Sequence, residues 1–195
     1  MRIFVLKSIS SASINEFVEH WRPLYAYANE GLYKNNIAVE QFNLKNLTEL
    51  FQWKNGMILS GKKEKSLQEK VIGRIELINK YKRINNIDLD QFNGDFSNMS
   101  AVWRIFLLHI ICPNKFPIYD QHIHRTYNFI NGIEWKTVKN TMPNQQKMEF
   151  YQNTYLQFIN EIKYPEIKAL DEAFFAFGQF LNTRNQSHFF KSITS

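Results

Sequence analysis

The chain has 195 residues, of which 44% are hydrophobic and 22% charged, with 24 lysines and arginines against 18 aspartates and glutamates. That balance excludes an intrinsically disordered tail, and the length suffices for one domain with a substantial core. The single cysteine, Cys112, excludes an internal disulfide framework and a cysteine-ligated zinc or iron–sulfur centre within one chain.

Arg2–Leu6 carries the only strand signal, and the segment around it is too short in its apolar part for a secretory signal. Ser13 and Glu16 have the spacing of a capping box, followed by Phe17, Trp21, Leu24 and Tyr25 on one helical face. Leu47, Leu50, Phe51, Gly56, Met57 and Leu59 predict a second helix ending near Ser60-Gly61. Leu67, Val71, Ile75 and Ile78 predict one amphipathic helix over 66–82 with its lysines outward. Residues 101–112 are apolar nearly all round, which predicts a buried helix stopped by Pro113. Asp120 is placed to cap a helix reaching about Asn131. A further helix is predicted over 145–163, with Met148, Tyr151, Tyr155, Phe158 and Ile162 on one face and Pro165 beyond it. The last, over 167–182, carries Leu170, Phe174, Phe177 and Leu181. The fold class is therefore all-α, with seven or eight helices in one domain spanning 1–195. No stretch reaches the roughly 18 apolar residues of a membrane span, so a cytoplasmic setting without a membrane partner is expected.

The net charge of +6 has an address. Between Lys54 and Arg83 lie nine basic and three acidic residues, and the rest of the chain is neutral. A local excess of this kind suits a polyanion such as nucleic acid; a solvated lysine-rich helix face is the plainer reading.

Tyr119-Asp120-Gln121-His122-Ile123-His124-Arg125 is the densest polar cluster. Asp120 can serve as an N-cap beside structural histidines, or as a catalytic carboxylate that stabilises a cation or activates water. A metal held by Asp120, His122 and His124 is disfavoured, because helical residues two apart point about 200° away from each other. No metal and no cofactor are expected. Tyr119 and Trp103 are expected to pack in the core rather than stack on a base.

The same segment resembles the V-D-T-H-V-x-R stretch of the helix-hairpin-helix DNA glycosylases of the endonuclease III type, matching its aspartate, histidine and arginine in order. Phe96-Ser97-Asn98-Met99-Ser100-Ala101-Val102-Trp103-Arg104 corresponds to the family's L-P-G-V-G-x-K-T-A hairpin, within a hairpin-like segment of about 92–112. Weaker echoes are Trp53–Ser60, similar to the family's helix ending in L-S, and Ala173–Gln179, similar to its late helix ending in a G-R pair. The resemblance implies a two-lobed helical fold, duplex DNA as partner and a base flipped into a cleft between the lobes. It implies Asp120 as the catalytic carboxylate, oriented by His122 and Arg125. Lys54, Lys62, Lys63, Lys65, Asn98, Ser100 and Arg104 would hold the nucleic acid. Four departures qualify it: Asn98 and Ser100 replace the hairpin glycines, Val102 replaces the Schiff-base lysine, the cluster cysteines are missing, and Gly61-Lys62 stand where the family has a stack-filling glutamine. With Val102 there, the implied enzyme is monofunctional. Two alternatives stand beside it: a nucleic-acid-binding protein without catalysis, and a helical protein-interaction domain.

Overall fold

Ser13 accepts the Glu16 amide and Glu16 reaches back to the Ser13 amide, so the predicted capping box starts helix α1, Ile14–Trp21. The structure, a computed structural model, describes residues 13–84, 86–136 and 142–182. The strand signal at Arg2–Leu6 lies outside them. The described residues contain helices and no strand, and no helix among them is long and apolar enough to cross a membrane. The chain divides into two compact units, Met1–Tyr25 with Pro117–Ser195, and Ala26–Phe116.

The second unit holds α2 (Glu30–Ile37), α3 (Leu44–Asn55), α4 (Gly61–Lys70), α5 (Ile75–Lys82), α6 (Leu89–Asp95) and α7 (Ala101–Ile111). Helix α3 stops at Asn55, short of the expected Ser60-Gly61. Gly56 takes a left-handed φ of 72°, which a residue with a Cβ resists, and the Asn55 amide group bonds the Met57 carbonyl at 2.9 Å. Gly61 then opens α4 instead of closing α3. The single helix expected over 66–82 is two. Helix α4 ends at Lys70, a 3-10 turn runs Ile72–Arg74, and α5 restarts at Ile75. Most of the buried face survives the break: Leu67, Val71 and Ile78 are in the core, and Ile75 is half-buried. The lysines are not all outward. Lys82 sends its ammonium to the Ile110 carbonyl at 3.3 Å, over the Phe42 ring, and Arg74 bonds the Asp95 carbonyl. Helix α7 is buried as expected, and Phe106 and Trp103 pack edge-on against Phe51 of α3. His109, fully buried in it, meets both Tyr33 Oη and the Phe116 carbonyl at 2.7 Å.

In the first unit, α8 (Gln121–Ile130), α9 (Asn144–Phe150), α10 (Leu156–Ile162) and α11 (Ile167–Leu181) join α1. Phe17 and Trp21 of α1 meet Phe174 and Phe177 of α11 edge-on. Between α9 and α10 the backbone widens into a π-turn, Tyr151–Tyr155. That turn changes the phase of the predicted 145–163 helix. Met148, Tyr151, Tyr155 and Ile159 are buried, while Phe158 and Ile162 are half-exposed. The helix ends before Pro165, at Lys163, whose φ of 53° is left-handed.

Candidate functional site

Asp120 stands at the entry to α8 in an extended conformation, and one carboxylate oxygen does the capping. Oδ1 accepts the His122 amide at 2.8 Å and the Ile123 amide at 3.0 Å. Oδ2 accepts no hydrogen bond among the described residues, and Asp120 is half-buried. Capping by Oδ1 therefore does not occupy Oδ2.

The neighbouring side chains hold this turn from behind. Arg125 is only 4% exposed; its guanidinium lies 3.2 Å from His122 Nδ1 and donates to the Gly178 carbonyl at 3.3 Å. Burial lowers its pKa, and the Asp120 charge pulls the other way. His122 rests against Phe175. Both residues orient the start of α8. Helix α8 is bound to α11 by Thr126, whose hydroxyl donates to the Phe174 carbonyl at 2.7 Å. At Gly178 a Cβ would lie 2.1 Å from the His122 carbonyl oxygen, so only glycine lets the two backbones meet there.

His124 points away from His122, buried against Phe150, with Nδ1 2.7 Å from Tyr119 Oη. No group of three potential ligands that could hold a metal occurs among the described residues. Burial, and then the charges of Arg125 and Lys147, depress the His124 pKa from 6.5 to about 4. Over that interval the unfolded chain takes up a proton that the folded chain refuses. Stability is thus full above about pH 6.5 and is lost as the pH falls towards 4, by about 2 kcal/mol after allowance for solvent screening. Urea unfolding at pH 7 and pH 4.5 checks this: His124→Gln should show a smaller loss between the two than the wild type.

The lead-in to Asp120 was not predicted. Ile118 donates its amide to Oδ2 of buried Asp171 at 2.8 Å, and Tyr151 Oη donates to the Pro117 carbonyl at 2.8 Å. Tyr119 is buried among Phe150, Tyr151 and Tyr155, and Trp103 lies half-buried against Phe51. The sequence does carry a sign of Asp171: a lone acid at helical spacing from Phe174 and Gly178 on the apolar face of α11.

The residues expected to hold nucleic acid lie in the other unit. Helix α6 leads through the turn 96–100 into α7. No residue of that turn is left-handed. Ser100 is the N-cap of α7, accepting the Trp103 amide at 3.4 Å. Asn98 and Ser100 are exposed, and their own amides donate to no acceptor among the described residues. Arg104 reaches back to the Met99 carbonyl at 3.3 Å and the Asn93 side chain at 3.5 Å. Burial lowers its pKa. Lys62, Lys63 and Lys65 are exposed on the first two turns of α4; Lys63 bonds Asn55, and Lys65 lies 3.8 Å from Glu69. Lys54 is half-buried, 5.8 Å from the Phe106 ring.

Among these cations stands an apolar tip. Met57 and Ile58 are 68% and 81% exposed, in a loop clasped by Asn55. Beside them, α3 and α4 border an open groove of about 400 Å³ lined by Thr48, Gln52, Ile58, Leu59, Lys65 and Leu67.

No family model matches the chain, and no curated protein or solved structure matches it either.

Proposed function

We propose that this chain is a monofunctional DNA glycosylase of the helix-hairpin-helix kind, hydrolysing the bond between a damaged or modified base and its sugar. The observation that carries the reading is the divided Asp120 carboxylate, with Oδ1 fixed and Oδ2 unengaged, inside a segment that resembles the family's catalytic stretch. In the reaction the C1′–N bond breaks as the base leaves. Oδ2 stabilises the positive charge that develops on the sugar and accepts the proton of the water that adds at C1′. The base departs with the electron pair and takes a proton from solvent, and Asp120 returns the proton it accepted to solvent, so that one water is consumed. His122 and Arg125 position Asp120. Val102 offers no amine, so no covalent imine forms with the sugar and the strand stays intact.

The other unit supports the DNA part of the reading. Lys62, Lys63 and Lys65 can neutralise phosphates, and the free amides of Asn98 and Ser100 suit a phosphate oxygen. An apolar tip among lysines suits insertion between bases. Ile58→Asp is expected to weaken binding to a duplex with an unpaired base by about tenfold, without changing thermal stability. Fluorescence anisotropy at fixed salt checks it; unchanged affinity would remove the tip from the interface. A second reading, nucleic-acid binding without catalysis, is favoured by the rebuilt hairpin, where Ser100 is spent as a helix cap.

The decisive experiment incubates the purified full chain with duplexes carrying deaminated, oxidised or alkylated bases. Base release is read as strand breakage that appears only after alkali. Release from at least one duplex is expected. No release across the panel would leave the binding reading, and no salt-dependent binding would end that as well.

A further inference from the structure

We propose that Asp171 is a positioning residue for Asp120, an inference that rests on the glycosylase reading for its consequence but not for its geometry. The residues before Asp120 run without helix or strand, so their polar backbone groups need partners from elsewhere. Ile118 is buried, and its amide is satisfied by Asp171 Oδ2 at 2.8 Å. The Pro117 carbonyl takes the Tyr151 hydroxyl at 2.8 Å. Two side chains from two elements thus replace the neighbouring strand that would otherwise order this segment.

Asp171 is 3% exposed, on a helix face made of Leu170, Ala173, Phe174 and Phe177. A carboxylate there is costly to bury, and its bond to the Ile118 amide offsets part of that cost while holding the amide in place. Two residues on, Asp120 has φ −155° and ψ −174°, an extended conformation that continues the pinned segment and sends Oδ1 to the His122 and Ile123 amides. Fixing Ile118 therefore fixes the direction of Oδ2. The π-turn contributes by keeping Tyr151 and Tyr155 fully buried together, ring centroids 6.0 Å apart, under the Tyr119 ring. Asp171 touches no reacting atom in this scheme; it acts through Ile118.

The test uses the full chain as wild type, Asp171→Ala, Asp171→Asn and Tyr151→Phe. Native-state amide exchange is followed at Ile118, His122 and Ile123, with Val18 and Trp21 of α1 as internal reference. Asp171→Ala should accelerate exchange at the first three by about tenfold relative to the reference, the loss of one buried hydrogen bond. Asparagine keeps an acceptor and should bring exchange back to within about threefold of wild type. Tyr151→Phe, which loses only a hydroxyl, should show the same local pattern more weakly, and it stands in if the alanine variant does not fold. Equal acceleration at the reference amides, or none at Ile118, would overturn the proposal. On a duplex that the wild type processes, single-turnover base release should fall at least about tenfold in Asp171→Ala at unchanged Kd, with recovery in Asp171→Asn. A wild type that releases no base would remove the glycosylase reading, and the exchange pattern would still support or overturn the positioning.

Discussion

Replacing Gly178 by alanine should destabilise the protein by about 4 kcal/mol, although alanine is the better helix former by about 1 kcal/mol. A Cβ at this position would sit 2.1 Å from the His122 carbonyl oxygen, 2.6 Å from its carbon and 2.9 Å from its Cα. These are backbone atoms, which cannot rotate aside as a side chain can. To admit the methyl group α8 and α11 must part, and the Thr126 bond to Phe174 and the Arg125 bond to Gly178 must stretch. At this chain length the loss corresponds to a fall in Tm of about 8–16 °C, readable by circular dichroism. The displaced end of α8 is the one that carries Asp120 and His122, so any activity assigned to Asp120 should fall further than the folded fraction does. A Gly178→Ala protein as stable as wild type would show that the helices do not approach this closely.

That contact illustrates what could and could not be read from the amino-acid order. The capping residues were legible because their chemistry is local: Ser13 with Glu16, and Asp120 with the two amides after it, act within four residues. The burial of α7 was legible because apolar residues surround its axis. Interruptions were not. Apolar spacing over 66–82 gives Leu67, Val71 and Ile78 correctly as buried across the turn at Ile72–Arg74, but not half-buried Ile75, and carries no mark of the break except Gly73. The π-turn moves the buried position from Ile162 to Ile159, because one widened turn shifts every later residue around the helix. Arg74, Lys82 and Arg104 count as basic in the sequence but are spent on carbonyls within their own unit. The net charge overstates what is offered to a partner. Asp171 was missed for the converse reason: its partner, Ile118, is 53 residues away, and only the fold brings them together.

Replacing Asp120 by asparagine should leave a protein that folds and binds DNA as the wild type does, but releases base at least about 100-fold more slowly. The two carboxylate oxygens of Asp120 stand in different surroundings. Asparagine ranks with aspartate as an N-cap, and its Oδ1 can take the same amides of His122 and Ile123. Its nitrogen, in the place of Oδ2, can neither accept a proton from water nor offer negative charge to a developing cation. Asp120→Ala removes both functions and should cost about 1 kcal/mol of stability in addition to the rate. If Asp120 served only as a cap, asparagine would be silent in every assay and alanine would alter stability alone. Comparing thermal unfolding, duplex affinity and base release for the pair therefore separates the oxygen that builds α8 from the oxygen assigned to the chemistry. Equal base release by wild type and Asp120→Asn would take that assignment away, whatever the protein binds.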